Sequence, residues 1–173
     1  MEQRHAIEVR AAGKTIEGYA ATFGNTARVS DFNEVIAPTA FSESLRSRDE
    51  ILALSDHDYT KVIGRTGNGS LKLSTDAKGL RFTLTPPDTQ AGRDALEMVR
   101  TGTAGGLSFG FTVPAGGDEW QGETRTLKNV VLREISLVSS WPAYQGTSAS
   151  VRSRQPMTDQ ERRIRILELE GQR

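Results

Sequence analysis

The stretch LKLSTDAKGLRFTL, residues 71–84, indicates the fold class of the chain. Apolar side chains alternate with polar ones in both of its halves, at Leu71, Leu73, Leu80, Phe82 and Leu84. Alternation with a period of two is typical of a β-strand that buries one face. The residues between the halves, Ala77-Lys78-Gly79, are typical of a turn. The stretch therefore predicts two short strands joined by a turn.

Strand patterns recur on both sides of this stretch. They cover residues 6–9, 15–23, 51–54, 61–65, 107–113 and 125–138. So many short strands at close spacing predict a barrel or a sandwich. Two helices interrupt the series. Pro38-Thr39 opens the first, and Thr89 caps a second that ends at Gly102. The sequence thus predicts a mainly β domain decorated by helices.

Composition limits the possible partners. The 173 residues include 22 Lys and Arg and 22 Asp and Glu, so the net charge is zero. We therefore expect neither nucleic acid nor a membrane surface as a partner. The chain has no cysteine, which excludes thiol nucleophiles, disulfides and cysteine-ligated metals. No apolar stretch approaches the roughly 18 residues that a membrane span needs, and the polar start is unlike a secretory signal, so we expect a soluble protein.

Two short segments carry the residues best suited to chemistry. The segment ALSDHD, residues 53–58, contains His57, and the segment GGLSFGF, residues 105–111, contains Ser108. His5, the other histidine, lies near the start of the chain, so His57 is the better candidate for an imidazole base. Together the segments suggest a serine nucleophile and its base. Taken singly, each residue more often has an ordinary packing or surface role.

Metal and cofactor sites find little support in the sequence. Asp56, His57 and Asp58 could supply ligands to a cation, but neighbouring strand residues alternate between faces. The glycine-rich residues 64–69 lack the Lys-Ser/Thr signature of a phosphate loop and are typical of a hairpin. We therefore expect no metal and no cofactor.

The composition changes after residue 150. Residues 151–156 form a polar linker, and Thr158 with Glu161 forms a capping box that opens a charged segment with Ile164 and Leu167. We expect a domain over residues 1–150, followed over 151–173 by this linker and a charged helical segment. That helix is either solvated or an arm that docks on a partner or a second copy.

Several of these segments resemble one known family. They are Glu17-Gly18-Tyr19-Ala20 with Phe23-Gly24, Leu54-x-x-His57-Asp58, residues 106–111, residues 133–138 and Pro142-Ala143. In this order, over roughly residues 5–150, the chain resembles the prohead (capsid maturation) proteases of tailed bacteriophages. These proteases are similar to the herpesvirus assembly proteases, whose fold is a closed β-barrel surrounded by helices.

The resemblance implies a serine endopeptidase of capsid maturation. It would act inside the immature capsid, in the host cytoplasm, and cleave scaffold segments of capsid protein and its own chain. It also implies self-association. A non-catalytic capsid scaffold or assembly module, or a hydrolase of another acyl substrate, is the alternative. The joint presence of Ser108 and His57 favours the protease, because a scaffold would need neither.

The resemblance also assigns candidate site residues. It implies that Ser108 is the nucleophile, His57 the general base and Glu134 the acidic residue that holds the imidazole. Asp56 and Asp58 are rivals of Glu134 by sequence proximity, although strand neighbours of His57 would point away from it.

The oxyanion donors implied by the resemblance come from the loop that follows Glu134. In this chain that loop contains Ser139 and Ser140, where the herpesvirus enzymes carry paired arginines.

Overall fold

The computed structural model describes residues 1–6, 9–47 and 49–139. Thirteen strands and two helices occur in these residues. The helices are α1 (Ser42–Arg46) and α2 (Gln90–Arg100). The strands are β1 (Glu2–Ala6), β2 (Val9–Ala12), β3 (Thr15–Thr22), β4 (Thr26–Val29), β5 (Phe32–Ile36), β6 (Leu52–Ser55), β7 (Asp58–Arg65), β8 (Leu71–Thr75), β9 (Gly79–Leu84), β10 (Gly106–Thr112), β11 (Asp118–Gln121), β12 (Thr124–Leu127) and β13 (Val131–Val138). The prediction of a mainly β protein with few helices is confirmed.

The strands form three sheets. The largest has the order β1-β10-β13-β6-β7, and its pairs are antiparallel except for the parallel pair β13 and β6. A second sheet has the order β2-β3-β9-β8, and a third the order β11-β12-β5-β4. In the second sheet β8 and β9 pair as the predicted hairpin, with Leu73 opposite Phe82.

The hydrophobic core joins the first two sheets. Its members on facing strands include Ile16, Leu80, Phe82, Leu107, Phe109, Ile135 and Leu137, all buried. The ring of Phe41 lies 5.7 Å from that of Phe109 and brings the segment before α1 into the same core. Burying each such side chain contributes about 1.5–3 kcal/mol. One face of the first sheet is thus committed to packing, which leaves the other for polar residues.

Helix α2 begins as predicted. The side chain of Thr89 accepts a hydrogen bond from the backbone N–H of Gly92, which satisfies one free donor of the first turn. The helix ends at Arg100, and Gly102 follows with φ of 70°. No helix in the described residues is long and apolar enough to cross a membrane.

A network of ion pairs ties β1 to the third sheet. Glu34 of β5 is only 3% exposed and binds Arg4 of β1, whose Nε lies 2.5 Å from its Oε1. Arg125 of β12 binds Glu2 of β1 at 2.7 Å and Asp118 of β11 at 2.7 Å. Because β1 is the edge strand beside β10, this network holds that edge of the first sheet in place.

One expectation about the fold is not confirmed, and one differs from the structure. The closed barrel is not found among the described residues, whose strands lie in three sheets. Residues 125–138, which predict one strand, form β12 and β13 in different sheets. The chain leaves β12 because the N–H groups of Lys128 and Asn129 donate to the carbonyl of Gly117. The linker and helix expected at 151–173 lie outside the described residues.

Candidate active site

His57 lies in a tight turn, not on a strand. Ser55 and Asp58 are register partners, so Asp56 and His57 form the two-residue connection between β6 and β7. Their φ angles are 52° and 59°. Positive φ at both central residues is the arrangement of a type I′ hairpin turn, which favours asparagine, aspartate or glycine at the first position and glycine at the second. The backbone therefore bears strain at the histidine, a cost of about 1–3 kcal/mol for such a residue.

The imidazole of His57 binds the carboxylate of Glu134. The Nδ1 atom of His57 lies 2.9 Å from Oε1 of Glu134. Glu134 lies on β13 and is fully buried, whereas the side chain of His57 is 18% exposed. As a carboxylate, Glu134 can only accept, so Nδ1 carries the hydrogen and, in the neutral ring, Nε2 is the acceptor nitrogen that a general base requires.

Gly110 leaves room for this carboxylate. It is the register partner of Glu134 on β10. A Cβ atom added at Gly110 would collide with Oε1 of Glu134. A glycine is therefore needed at this position for the carboxylate to lie across the strand.

Ser136 completes a ring of hydrogen bonds. Its hydroxyl donates to Oε2 of Glu134 at 2.5 Å and accepts from the backbone N–H of His57 at 3.2 Å. The carboxylate is thus bound through one oxygen to Ser136 and through the other to the ring of His57. The turn and β13 are joined through both the backbone and the side chain of the histidine.

Ser108 lies on the same face of the sheet. It is the register partner of Ser136 across β10 and β13, and directly opposite side chains have Cβ atoms roughly 5 Å apart. Ser108 is fully buried, and its Oγ makes no hydrogen bond to the described residues. Nε2 of His57 is likewise buried. On the other side of β10, the register partner of Ser108 is His5.

The rival carboxylates are bound elsewhere. Asp58 accepts from the N–H and the hydroxyl of Thr60 at 2.9 and 2.6 Å, and the hydroxyl's hydrogen bond lowers the pKa of Asp58. Asp56 accepts from the N–H and the hydroxyl of Ser139 at 2.7 and 2.5 Å. The argument from strand alternation does not apply, because His57 lies in a turn.

The expected oxyanion loop is seen only at its first residue. Both donors of Ser139 are directed at Asp56, while Ser140 lies outside the described residues. No group of three or more His, Asp or Glu side chains in the described ranges is placed to hold a metal ion.

Sequence reasoning gave no role to Ser136 or Gly110. Both lie two positions from a candidate residue, Ser136 from Glu134 and Gly110 from Ser108. Alternate residues of a strand share a face. A polar or small residue two positions from a candidate, on an otherwise apolar strand, could therefore have indicated Ser136 and Gly110.

Comparison with known proteins identifies the family of the chain. The family model described as caudovirus prohead serine protease matches residues 3–161. No curated protein and no solved structure matches the chain. The family match spans most of the chain, including the turn of His57 and the strands of Ser108 and Glu134, and shows that the chain belongs to the caudovirus prohead serine proteases and is a serine endopeptidase.

Proposed function

We propose that Ser108 is the nucleophile, His57 the general base and Glu134 the residue that orients the base. The observation that carries this assignment is the 2.9 Å contact between Nδ1 of His57 and Oε1 of Glu134, beside the strand of Ser108. Glu134 and Ser108 lie on adjacent strands and on one face of the sheet, so the imidazole that Glu134 binds is on the same side of the sheet as the hydroxyl.

The reaction follows from these roles. Oγ of Ser108 attacks the carbonyl carbon of the scissile bond and gives its proton to Nε2 of His57. The C–N bond then breaks, the amine leaves with that proton, and an ester to Ser108 remains. Water, deprotonated by His57, cleaves the ester and regenerates the serine. The negative charge of Glu134 stabilises the imidazolium formed in each half.

Access to the hydroxyl requires local opening. Ser108 is fully buried in the structure. A peptide carbonyl can therefore reach Oγ only when neighbouring side chains move aside.

The substrate is assigned from the family. Prohead proteases act on capsid protein, and we assign to this chain the cleavage of its scaffold segments inside the procapsid, in the host cytoplasm. Self-association and cleavage within its own linker, residues 151–156, belong to the same proposal. Ser139 and Ser140 supply the oxyanion donors in it, which requires Asp56 to release Ser139.

The architecture we propose is a protease domain over residues 1–150, with a barrel like that of the herpesvirus assembly proteases. Two connections support the barrel. Only two residues separate β1 of the first sheet from β2 of the second, and β7 leads into β8 across residues 66–70. Both edges of the first sheet are thus followed in sequence by edge strands of the second.

A serine-directed fluorophosphonate tests the assignment. The proposal expects labelling of the wild-type chain at Ser108, located by peptide mass spectrometry, and no labelling of Ser108→Ala or of heat-unfolded protein. It also expects Ser108→Ala to keep the wild-type unfolding midpoint and to lose cleavage of a cognate capsid precursor. Labelling at another serine, or cleavage by folded Ser108→Ala, would overturn it.

A further inference from the structure

We propose that Ser136 is a positioning residue of this site, holding Glu134 and His57 in their reactive arrangement. This inference rests on the proposed roles of Glu134 and His57. Ser136 does not touch the reacting atoms in this scheme. It acts through the two residues that it joins.

The first part of the argument concerns the carboxylate. A buried carboxylate on a glutamate side chain can rotate about its last bond and offer either oxygen to the imidazole. The 2.5 Å hydrogen bond from the hydroxyl of Ser136 occupies Oε2 and leaves Oε1 for Nδ1 of His57. Hydrogen bonds to charged acceptors are the strong ones in a buried site. The hydroxyl thus fixes which oxygen faces the histidine and in which plane.

The second part concerns the backbone of the turn. The N–H of His57 donates to the same hydroxyl at 3.2 Å, in a residue whose φ is 59°. Strained positive-φ residues persist only where their surroundings hold them. Ser136 therefore anchors the strained backbone of His57 to the strand that carries Glu134. Movement of the turn and movement of the carboxylate are coupled through one oxygen atom.

A second buried serine provides a matched control. The hydroxyl of Ser44 also bridges two groups, donating to the carbonyl of Val130 at 2.6 Å and accepting from the N–H of Leu132 at 2.9 Å. Ser44 is 8% exposed and Ser136 is fully buried. Both of the groups that Ser44 bridges are backbone atoms, at the start of β13, and neither belongs to the site. Removing either hydroxyl costs stability, but only Ser136 should change the chemistry.

The experiment compares Ser136→Ala, Ser136→Cys and Ser44→Ala in the full chain. The rate of fluorophosphonate inactivation is measured on protein shown to be folded by its urea unfolding curve, and kcat and KM are measured on a capsid precursor. We expect Ser136→Ala to react about 100-fold more slowly with KM unchanged, the scale of a small misplacement of reacting groups. Ser136→Cys, of similar shape but with a weak donor, should fall between Ala and wild type.

A spectroscopic readout separates positioning from packing. The hydrogen on Nδ1 of His57, bound to a carboxylate, should give a downfield proton resonance that is easily assigned in a chain with two histidines. We expect this resonance to shift or disappear in both Ser136 variants and to stay in place in Ser44→Ala. If Ser136→Ala does not fold, the same comparison is made with Ser136→Cys.

Two results would overturn the inference. One is a wild-type inactivation rate in a folded Ser136 variant with an unchanged downfield resonance. The other is an equal loss of rate in Ser44→Ala, which would reduce Ser136 to general packing. Failure of the proposed function gives a different pattern, because the wild-type chain itself would then not be labelled at Ser108.

Discussion

Ser139 donates both its backbone N–H and its hydroxyl to the two oxygens of Asp56, at 2.7 and 2.5 Å. The N–H of Asp56 donates in turn to the carbonyl of Leu137 at 2.8 Å. The residue before the candidate base is thus tied to β13, the strand that carries Glu134. The side chain and the backbone N–H of Asp56 thus both hold the turn of His57 to the end of β13.

Substitution of Asp56 tests this tie. Asp56→Ala removes both hydrogen bonds and leaves a side chain at φ of 52°, whereas Asp56→Gly removes the same bonds and relieves the backbone. We expect Gly to be more stable than Ala by about 1 kcal/mol. Urea unfolding of the two variants measures the difference. Equal stability, or a more stable Ala variant, would show that the turn is not strained.

Substitution of Glu134 by glutamine, its amide counterpart, tests the proposed role of the carboxylate. Glu134→Gln keeps the size of the side chain but cannot stabilise the imidazolium, so we expect kcat to fall by about four orders of magnitude with little change in KM. Asp58→Asn is the control, since that carboxylate is bound to Thr60, and its activity should stay close to wild type. Steady-state cleavage of a capsid precursor checks both. A fully active Glu134→Gln enzyme would assign the orienting role to another residue.

Gly110→Ala should disturb the site by a steric collision with Glu134, without removing any polar group. The new Cβ would meet Oε1 of Glu134, so we expect lower stability and slower fluorophosphonate labelling. Gly64→Ala is a matched control, because its Cβ would meet Cδ1 of Leu84 in the core. That variant should lose about 1–3 kcal/mol of stability and keep its labelling rate per folded molecule. Equal labelling rates in both variants would contradict the close approach at Gly110.

The network on β1 predicts a dependence of stability on pH. Burial acts to raise the pKa of Glu2, but the hydrogen bond and charge of Arg125, with Arg4, hold it below its ordinary value of 4.5. A lowered folded-state pKa adds stability above the unfolded value, and that stability is lost as the pH falls through the folded value. We expect Glu2→Gln to cost about 1–2 kcal/mol at pH 7 and to flatten the loss of stability below pH 4.5.

Urea unfolding from pH 7 to pH 3 measures this effect. Asp88→Asn is the control, because the carboxylate of Asp88 is 90% exposed where it binds Arg93. Exposed pairs contribute little, so its curve should follow that of the wild type. A Glu2→Gln curve parallel to the wild-type curve at every pH would contradict the role of this carboxylate.

Self-processing is tested by comparing active and inactive chains. We expect mass spectrometry after a long incubation at high concentration to find cleavage within residues 151–156 of the wild-type chain and none in Ser108→Ala. Sedimentation of both should show self-association that grows with concentration. An intact, monomeric wild-type chain at every concentration would contradict both expectations. The assignment of Ser108 as nucleophile would still be decided by the labelling experiment.

Local patterns predicted the elements whose structure is decided locally. The alternation in residues 71–84 predicted the pairing of β8 with β9, and Thr89 predicted the start of α2. The break after Leu127 was missed, because the chain turns there to reach the carbonyl of Gly117. That contact depends on the position of β11, and the position of β11 cannot be predicted from the residues 125–138 alone.

The residues of the candidate site likewise include some that the sequence indicated and some that it did not. The segments around Ser108 and His57 indicated both as candidates, and the resemblance assigned their roles. Glu134 was named from the resemblance alone, since residues 77 positions apart have no local pattern that joins them. Ser136 and Gly110 were missed because their roles exist only once β10 and β13 are in register. The positive φ of His57 was also missed, because the second central position of such a turn is usually glycine.

The position of β13 has a consequence for the order in which the enzyme is made. It is the last strand of the described chain, yet it lies between β10 and β6 inside the largest sheet. A ribosome-bound chain that ends before β13 already contains His57 and Ser108 but lacks both Glu134 and the strand that anchors the turn. Pairing between strands distant in sequence is also slow. The site as we propose it can therefore form only after β13 has been made.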